Sequence, residues 1–174
     1  MSVLTHFPKS RLSELAGRFG GLSREEAVEA ATRELEILRP EAIKNIEAAI
    51  AGLEKIVSDA IPRRDGSAAM MKTLLPAADQ IVTLAGTYGY TALDKAARSL
   101  CDLLDGLLRQ EKTDLASIRV HVQTIRMLAP CATALAAEHV EVMLFELAKL
   151  LDHHAITPHT GPLDSEDASI GVAL

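Results

Sequence analysis

Aromatic side chains are scarce in this sequence, which has two tyrosines, three phenylalanines and no tryptophan among 174 residues. A hydrophobic core must therefore be built from Leu, Ile, Val, Ala and Met, and such side chains suit the close packing of helix on helix. Nucleic-acid binders stack bases on aromatic or arginine side chains and carry a basic patch. Because aromatics are few and the formal net charge is −6, no nucleic-acid partner is expected.

Cysteine and long apolar runs are equally scarce. Cys101 and Cys131 are too few for a disulfide framework or a cysteine-based zinc site, and we expect both to be small buried residues within helices. No run of about 18 apolar residues predicts a transmembrane helix. The first residues lack the charged start and apolar run of a signal peptide. These absences favour one cytoplasmic domain without a membrane partner.

Apolar residues recur at steps of three and four in five segments, which is the pattern of amphipathic helices around a common core. The first segment begins at Ser23, where Ser23 and Glu26 have the spacing of a capping box, and it ends before Pro62. Pro40 predicts a kink or a break near Arg39, because proline removes a backbone donor and clashes with the preceding turn. The apolar stripe of this segment consists of Val28, Ala31, Leu35, Leu38, Ile43, Ile46, Ile50, Leu53, Val57 and Ile61.

Four further helices are predicted after the first. Pro76 predicts a kink or a break in the second, and Thr91 and Asp94 predict a capping box at the start of the third. The predicted ranges are 67–85, 91–110, Asp114 to Pro130, and 136–153. Short connections predict an all-α, antiparallel four- to five-helix bundle with a long first helix kinked at Pro40. The bundle spans residues 23–154, between an N-terminal arm (1–22) and a flexible tail (155–174).

The length of the first helix predicts an uncovered apolar face. A nearly straight helix from residue 24 to 60 is about 55 Å long at about 1.5 Å per residue, longer than the helices that follow it. Part of its stripe then stays uncovered in the monomer and offers a place for a protein partner or a second copy. Homodimerisation is left open, because folding back at Pro40 would cover the stripe.

The third predicted helix carries five charged residues on the face opposite its leucines. They are Asp94, Arg98, Asp102, Asp105 and Arg109. Opposite charges spaced in this way pair along a helix and add a few tenths of a kcal/mol each, so we interpret the face as a solvated surface. The alternative is a polar recognition surface for a protein partner, and these residues together with His121 form the candidate interaction surface.

His121 lies between Ile118 and Ile125, on the border of the buried face of the fourth predicted helix. Bacterial histidine-phosphotransfer domains are helical bundles that present one exposed histidine to a response regulator. Their usual motif has Lys three residues after the histidine and Gly next, whereas Thr124 and Ile125 stand at those positions here. A border histidine with a structural hydrogen bond is therefore favoured, and phosphotransfer through His121 is kept as an alternative.

Local motifs for catalysis are absent, since there is no Gly-rich phosphate loop, no His-Glu-x-x-His pattern and no nucleophile elbow. His153, His154 and His159 cluster near the C-terminus. Adjacent histidines on a helix point in different directions, so a metal site is not expected. No catalytic residue, cofactor or metal ligand is predicted. An enzyme whose site is assembled between helices remains an alternative.

The segment LDKAARSLCDL, residues 93–103, together with Val120-His121-Val122, resembles the small bacterial chemotaxis-cluster protein family CheE. The resemblance covers residues 20–152 and includes the order of elements, although the chain after His154 departs from the family pattern. It implies a cytoplasmic accessory protein near chemotaxis signalling, with no catalytic residues to transfer. The leading hypothesis is a non-catalytic helical interaction protein in bacterial signal transduction. The positions that match the family are Asp94, Lys95, Arg98, Asp102 and His121.

Overall fold

The computed structural model describes residues 23–63, 66–132 and 135–158, and the regular structure in these ranges is helical throughout. No β-strand occurs within them, which confirms the predicted all-α class. The predicted arm, residues 1–22, lies outside the described residues, as does most of the predicted tail, from residue 159 on. The five helices are α1 Arg24–Ala60, α2 Ala68–Thr87, α3 Thr91–Arg109, α4 Leu115–Met127 and α5 Ala137–His153.

Of the two predicted capping boxes, the one at Ser23 is present and the one at Thr91 is not. The Glu26 amide donates to Ser23 Oγ at 3.1 Å, and the Ser23 amide donates back to Glu26 Oε2 at 2.7 Å, so the first capping box is confirmed. The box predicted at Thr91 is wrong. The N-cap of α3 is Tyr90, which makes no side-chain cap, and Thr91 is already helical. The preceding turn passes through Gly89 at a φ of 77°, a conformation that favours glycine, and this turn shifts the helix start.

Both internal prolines lie within continuous helices. The predicted breaks at Pro40 and Pro76 do not occur, because α1 and α2 run through them. A proline cannot donate a hydrogen bond to the carbonyl four residues earlier. Both prolines are exposed, so each lies on the solvent side of its helix. The predicted kink at Pro40 stays a prediction.

Contacts within the chain divide it into two units, and the division falls inside α1 between Leu38 and Arg39. In the first unit, the described residues are Ser23 and the helical turns that follow it, and none of these residues is buried. The second unit begins at Arg39 and contains the remainder of α1 with the other four helices. The hydrophobic core of the described residues lies in this second unit.

The central helix of the second unit is α3, which packs against α2, α4 and α5. Its apolar residues recur at steps of three and four, so they share one face, and each fully buried leucine contributes about 1.5–3 kcal/mol to the folded state. From Ala42 to Ala60, α1 adds its own buried residues to the core. The buried hydrophobic residues of α3 are Leu93, Ala96, Ala97, Leu100, Leu103, Leu104 and Leu107.

The chain beyond α5 returns to the core instead of starting a tail at residue 155. Ala155 has a φ of 54°, and the Ile156 amide donates to the Leu151 carbonyl at 3.0 Å, which closes the end of the helix. This turn directs Ile156 onto Gly106 of α3, where it is buried. The predicted boundary of the tail is therefore wrong at Ile156, because this apolar side chain packs into the core after the turn.

The contact between Gly106 and Ile156 predicts the effect of one added methyl group. A Cβ at position 106 would overlap Cγ1 and Cδ1 of Ile156. We expect Gly106→Ala to lower the free energy of unfolding by about 1–3 kcal/mol, because overpacking outweighs the better helix propensity of alanine. Urea unfolding followed by circular dichroism measures this change.

Gly52 of α1 is the matched control, since a Cβ there meets no atom within 4 Å. Gly52→Ala should raise the free energy of unfolding by about 0.5–1 kcal/mol. In the Ile156→Ala background, Gly106→Ala should lose most of its penalty. If Gly106→Ala lowers the free energy of unfolding equally with and without the Ile156 side chain, the described packing is contradicted.

Candidate functional site

His121 of α4 is fully buried between α4 and α3. Its Nδ1 lies 2.9 Å from the Ser117 carbonyl, which can only accept, so Nδ1 carries the proton. Its Nε2 lies 3.0 Å from Ser99 Oγ and therefore accepts from that hydroxyl when the ring is neutral. Burial lowers the pKa of His121 to about 4, against the opposing effect of the hydrogen bond to Ser117. His121 is thus a neutral, doubly bonded side chain at the pH of the cell.

The position of His121 corrects its assignment to the candidate interaction surface. A partner cannot reach a ring that has no exposed area and whose two nitrogens are both engaged. The same burial leaves the phosphotransfer alternative without an accessible histidine at this position. The sequence placed His121 at the border of the apolar face. In the folded chain His121 is buried instead, and Ser99 of the neighbouring helix supplies the hydroxyl that a buried imidazole needs.

The depressed pKa of His121 predicts a loss of stability in mild acid. The unfolded chain protonates this histidine near pH 6.5, whereas the folded chain does so only near pH 4. Because the unfolded state binds more protons between these values, the free energy of unfolding falls as the pH drops from 6.5 towards 4. The stability lost through His121 is about 2 kcal/mol at pH 5 and reaches about 3 kcal/mol at pH 4. Urea unfolding at about pH 7 and about pH 5 measures the part lost between these two values.

The variant His121→Gln isolates this contribution, because other groups titrate equally in both proteins. The stability difference between the original chain and the variant should be larger near pH 7 than near pH 5. If the variant does not fold, the ring-proton NMR signals of His121 give the same information and should not titrate above about pH 5. A difference that is constant with pH, or a ring that titrates near pH 6.5, would overturn the prediction.

An aspartate, a serine and a histidine meet where α4 begins and α5 ends. Asp114 caps α4 by accepting from the amides of Ala116 and Ser117 at 3.0 and 3.1 Å. Its Oδ2 accepts from Ser117 Oγ at 2.6 Å and lies 2.9 Å from His154 Nε2. Burial raises the pKa of Asp114, but the hydrogen bonds from Ser117, His154 and Ala116 together hold that pKa below its usual value.

The geometry of Asp114, Ser117 and His154 does not activate a nucleophile. In a catalytic relay the serine donates to one ring nitrogen and the aspartate accepts from the other. Here Ser117 Oγ and Asp114 Oδ2 both lie beside the same nitrogen, Nε2 of His154, at 3.3 and 2.9 Å. Since the carboxylate can only accept, Nε2 carries the proton and Ser117 donates to Asp114. The arrangement fixes two helix ends together, and Gln110 adds a bond to the His154 carbonyl at 2.9 Å.

The predicted charged surface of α3 is only partly exposed. Arg98, Asp105 and Arg109 are exposed, whereas Asp94 and Asp102 are half-buried. Arg98 Nε donates to Asp94 Oδ2 at 3.0 Å, which is one of the pairs that the spacing predicted. Arg109 instead reaches the backbone carbonyl of Asp105 at 3.4 Å. Recognition of a partner by this face stays a prediction.

Neither cysteine has the environment that was expected. Cys101 in α3 is half-buried, and Cys131 is exposed in the turn after α4, so the prediction of two buried helical cysteines is wrong. The reason for Cys131 is that α4 ends at Met127, before Pro130, and the chain then runs along the surface. Burial raises the pKa of Cys101 to about 12, with further contributions from Asp79 and other nearby carboxylates.

These environments predict unequal thiol reactivity, because the thiolate is the reacting form. Near neutral pH, Ellman's reagent should modify Cys131 in the folded protein and reach Cys101 only after unfolding. Mass spectrometry of the labelled protein assigns each site. Cys131→Ser should remove the rapid phase of the reaction with Ellman's reagent. A rapid phase that persists in this variant would contradict the assignment of that phase to Cys131.

One charged cluster was not predicted from the sequence. Arg126 of α4 contacts both carboxylate oxygens of Glu54, at 2.9 and 2.7 Å, and also Glu47 Oε2 at 2.6 Å. The hydrogen bond from Arg126 lowers the pKa of Glu54. Glu47 and Glu54 stand seven residues apart on one edge of the α1 stripe, and this spacing was the available signal. The cluster joins α4 to α1, and Glu47 Oε1 is buried within it without a hydrogen-bond partner.

Large apolar side chains remain exposed on several of the described helices, and two groups of them lie on α1 and α5. The first belongs to the α1 stripe: Val28, Leu35 and Leu38 are 58%, 38% and 55% exposed, as the sequence predicted for part of that helix. We call Val28, Ala31, Leu35 and Leu38 the exposed stripe. The second group lies on α5, where Val142 and Phe145 are exposed and the Lys149 ammonium covers the Phe145 ring at 4.6 Å from its centre.

Among the described residues, neither the cleft at the end of α1 nor the His, Cys, Asp and Glu side chains form a typical small-molecule or metal site. A cleft of about 190 Å³ at the end of α1 is lined by Ile56, Asp59, Ala60, Arg63 and Met70. It is smaller than the roughly 300–1,000 Å³ typical of ligand sites. Across residues 23–63, 66–132 and 135–158, no three His, Cys, Asp or Glu side chains lie close enough to hold a metal ion.

Among the described helices, none is both long and apolar enough to cross a membrane. Comparison of the chain with protein-family models, curated proteins and solved structures finds no match. The resemblance to the CheE family therefore stays a prediction, and the exposed stripe is the best-supported candidate for a functional surface.

Proposed function

We propose that this protein is a non-catalytic helical interaction protein and that a protein partner binds the exposed stripe of α1. The observation that carries the proposal is the exposure of Val28, Leu35 and Leu38, three large apolar side chains in one helical register. Single exposed apolar residues are ordinary on protein surfaces, but successive turns of one helix that expose them on one face are typical of binding surfaces. Burial of each such side chain contributes about 1.5–3 kcal/mol.

The spacing of the exposed stripe supports this proposal. From Val28 to Leu38 its residues follow at steps of three and four, which places them on one side of the helix. The buried residues of α1 from Ala42 onward continue the same spacing, and they form part of the hydrophobic core. A sequence pattern that specifies core packing in one part of a helix thus recurs where the side chains face water. Helix-in-groove recognition uses anchors at this spacing.

The biological setting remains part of the proposal. A cytoplasmic location and a role in bacterial signal transduction rest on the sequence and on the resemblance to the CheE family. The phosphotransfer alternative is not carried forward, because His121 is buried and engaged on both ring nitrogens. The enzyme alternative is less favoured, because the one cluster of Asp, Ser and His described above binds the serine and the aspartate to the same nitrogen.

Site-specific photo-crosslinking in the native cell tests the proposal. Leu38 is replaced by p-benzoylphenylalanine in the full chain, and Val142 is the matched control position because the two side chains are 55% and 59% exposed. We expect a discrete adduct of higher mass from position 38 and none from position 142. Adding Leu35→Gln should remove the adduct while changing the free energy of unfolding by less than about 0.5 kcal/mol, as is usual at the surface.

Mass spectrometry of the adduct identifies what is attached. An adduct that survives Leu35→Gln, or equal adducts from positions 38 and 142, would contradict binding through the exposed stripe. The absence of any adduct from position 38 under conditions where the chain is expressed and folded would overturn the proposed function.

A further inference from the structure

We infer that the partner of the exposed stripe is a basic amphipathic helix of another protein. This inference rests on the proposed function and adds the chemistry of the occupant. It follows from the charges around the stripe, from the length of the stripe, and from the cost of placing a second copy or an anionic surface there.

The helical segment that bears the exposed stripe is acidic. Residues 24–38 contain five glutamates and two arginines. At about 100° per residue, Glu25 lies beside one edge of the stripe and Glu34 beside the other, so both lateral borders of the apolar surface are negative. Arg24 lies in line with the stripe, one turn before Val28. Arg33 is already paired, since its Nη2 lies 2.9 Å from Glu29 Oε1 on the same helix.

A negative border selects a positive partner. Lysine and arginine side chains lay their methylene stems over apolar surface and keep their charges at its edge. A helix with an apolar stripe between such residues would bury Val28, Leu35 and Leu38 and place its cations near Glu25 and Glu34. Complementary charge of this kind sets partner choice and speeds encounter.

A second copy of this chain fits the exposed stripe less well. Two copies packed stripe to stripe, in either direction, would bring two acidic borders together, and like charges across an interface are destabilising. The formal net charge of −6 adds a general repulsion between copies. Phosphate backbones and anionic lipid surfaces are repelled for the same reason. The charges therefore favour a basic protein segment over each of these occupants.

The length of the exposed stripe sets the length of its occupant. Val28 and Leu38 are ten residues apart, which corresponds to about 15 Å along a helix at about 1.5 Å per residue. An occupant of about three to four helical turns covers this distance, with anchors at steps of three and four of its own. A short linear segment of a larger protein meets this requirement.

The inference is tested with synthetic peptides and the full chain. The first probe is a fluorescein-labelled peptide of about 15 residues, with leucines at steps of three and four and lysines at most other positions. The second has the same leucines with glutamates in place of the lysines, and the third has the composition of the first in an order that forms no stripe. Fluorescence anisotropy measures the affinity of each.

We expect the basic striped peptide to bind at least about 10-fold more tightly than either control peptide and to lose affinity as salt is added. Leu35→Gln should weaken it by about 10-fold or more, whereas Val142→Gln, at an exposed position on α5, should not. In the double variant Glu25→Lys, Glu34→Lys the preference should shift to the acidic peptide. Circular dichroism confirms that each variant keeps the helical content of the original chain.

Equal affinity for the basic and acidic peptides, or binding that ignores Leu35→Gln, would overturn the inference. So would a stable dimer in light scattering that Leu35→Gln dissociates, since that result assigns the stripe to a second copy. The crosslinking experiment separates the two levels of the proposal. If position 38 crosslinks to another protein but the basic and acidic peptides bind equally well, only the inference of a basic helix is refuted. If position 38 gives no adduct, the proposed function itself is refuted.

Discussion

The apolar face of α3 is the contact on which the rest of the described bundle depends. Helices α2, α4 and α5 all pack against α3, and its buried leucines are closed to solvent. Gly106 on the same helix leaves the space that Ile156 fills, so the chain after α5 is also held by α3. A core of aliphatic side chains with few aromatics is densely packed only if neighbouring surfaces interlock. For this reason we expect one added methyl group at position 106 to lower the stability of the fold.

Polar contacts then fix the shortest helix, α4, at its beginning, middle and end. Asp114 caps its first turn and holds His154, His121 bonds to Ser99 of α3, and Arg126 joins Glu54 of α1. Each contact satisfies a group that burial would otherwise penalise, and each joins α4 to a different part of the bundle. The same contacts explain why the histidines and carboxylates of this region serve the fold. Both ring nitrogens of His121 are engaged, and the Asp114 and Glu54 carboxylates accept hydrogen bonds within the bundle.

Much of the fold was predictable because helices are local. The capping box at Ser23, the end of α1 at Ala60 and the cap at Asp114 all follow from short-range spacing. The errors arose where distant residues decide. Pro76 does not break α2, because the helix presents it to solvent. Ile156 returns to the core because Gly106, some fifty positions earlier, leaves room for its side chain.

The sequence by itself determined that the described chain is helical, the approximate range of each described helix, and that α1 bears an apolar stripe longer than the helices that follow it. These properties depend on propensity, capping and apolar spacing within a few turns. The tertiary structure alone decided which polar residues are removed from water. His121 became a buried, neutral residue that accepts from Ser99 of α3, whereas Leu35 and Leu38 of the α1 stripe are exposed. Burial depends on neighbours that are distant in the sequence, and spacing within one helix does not reveal them.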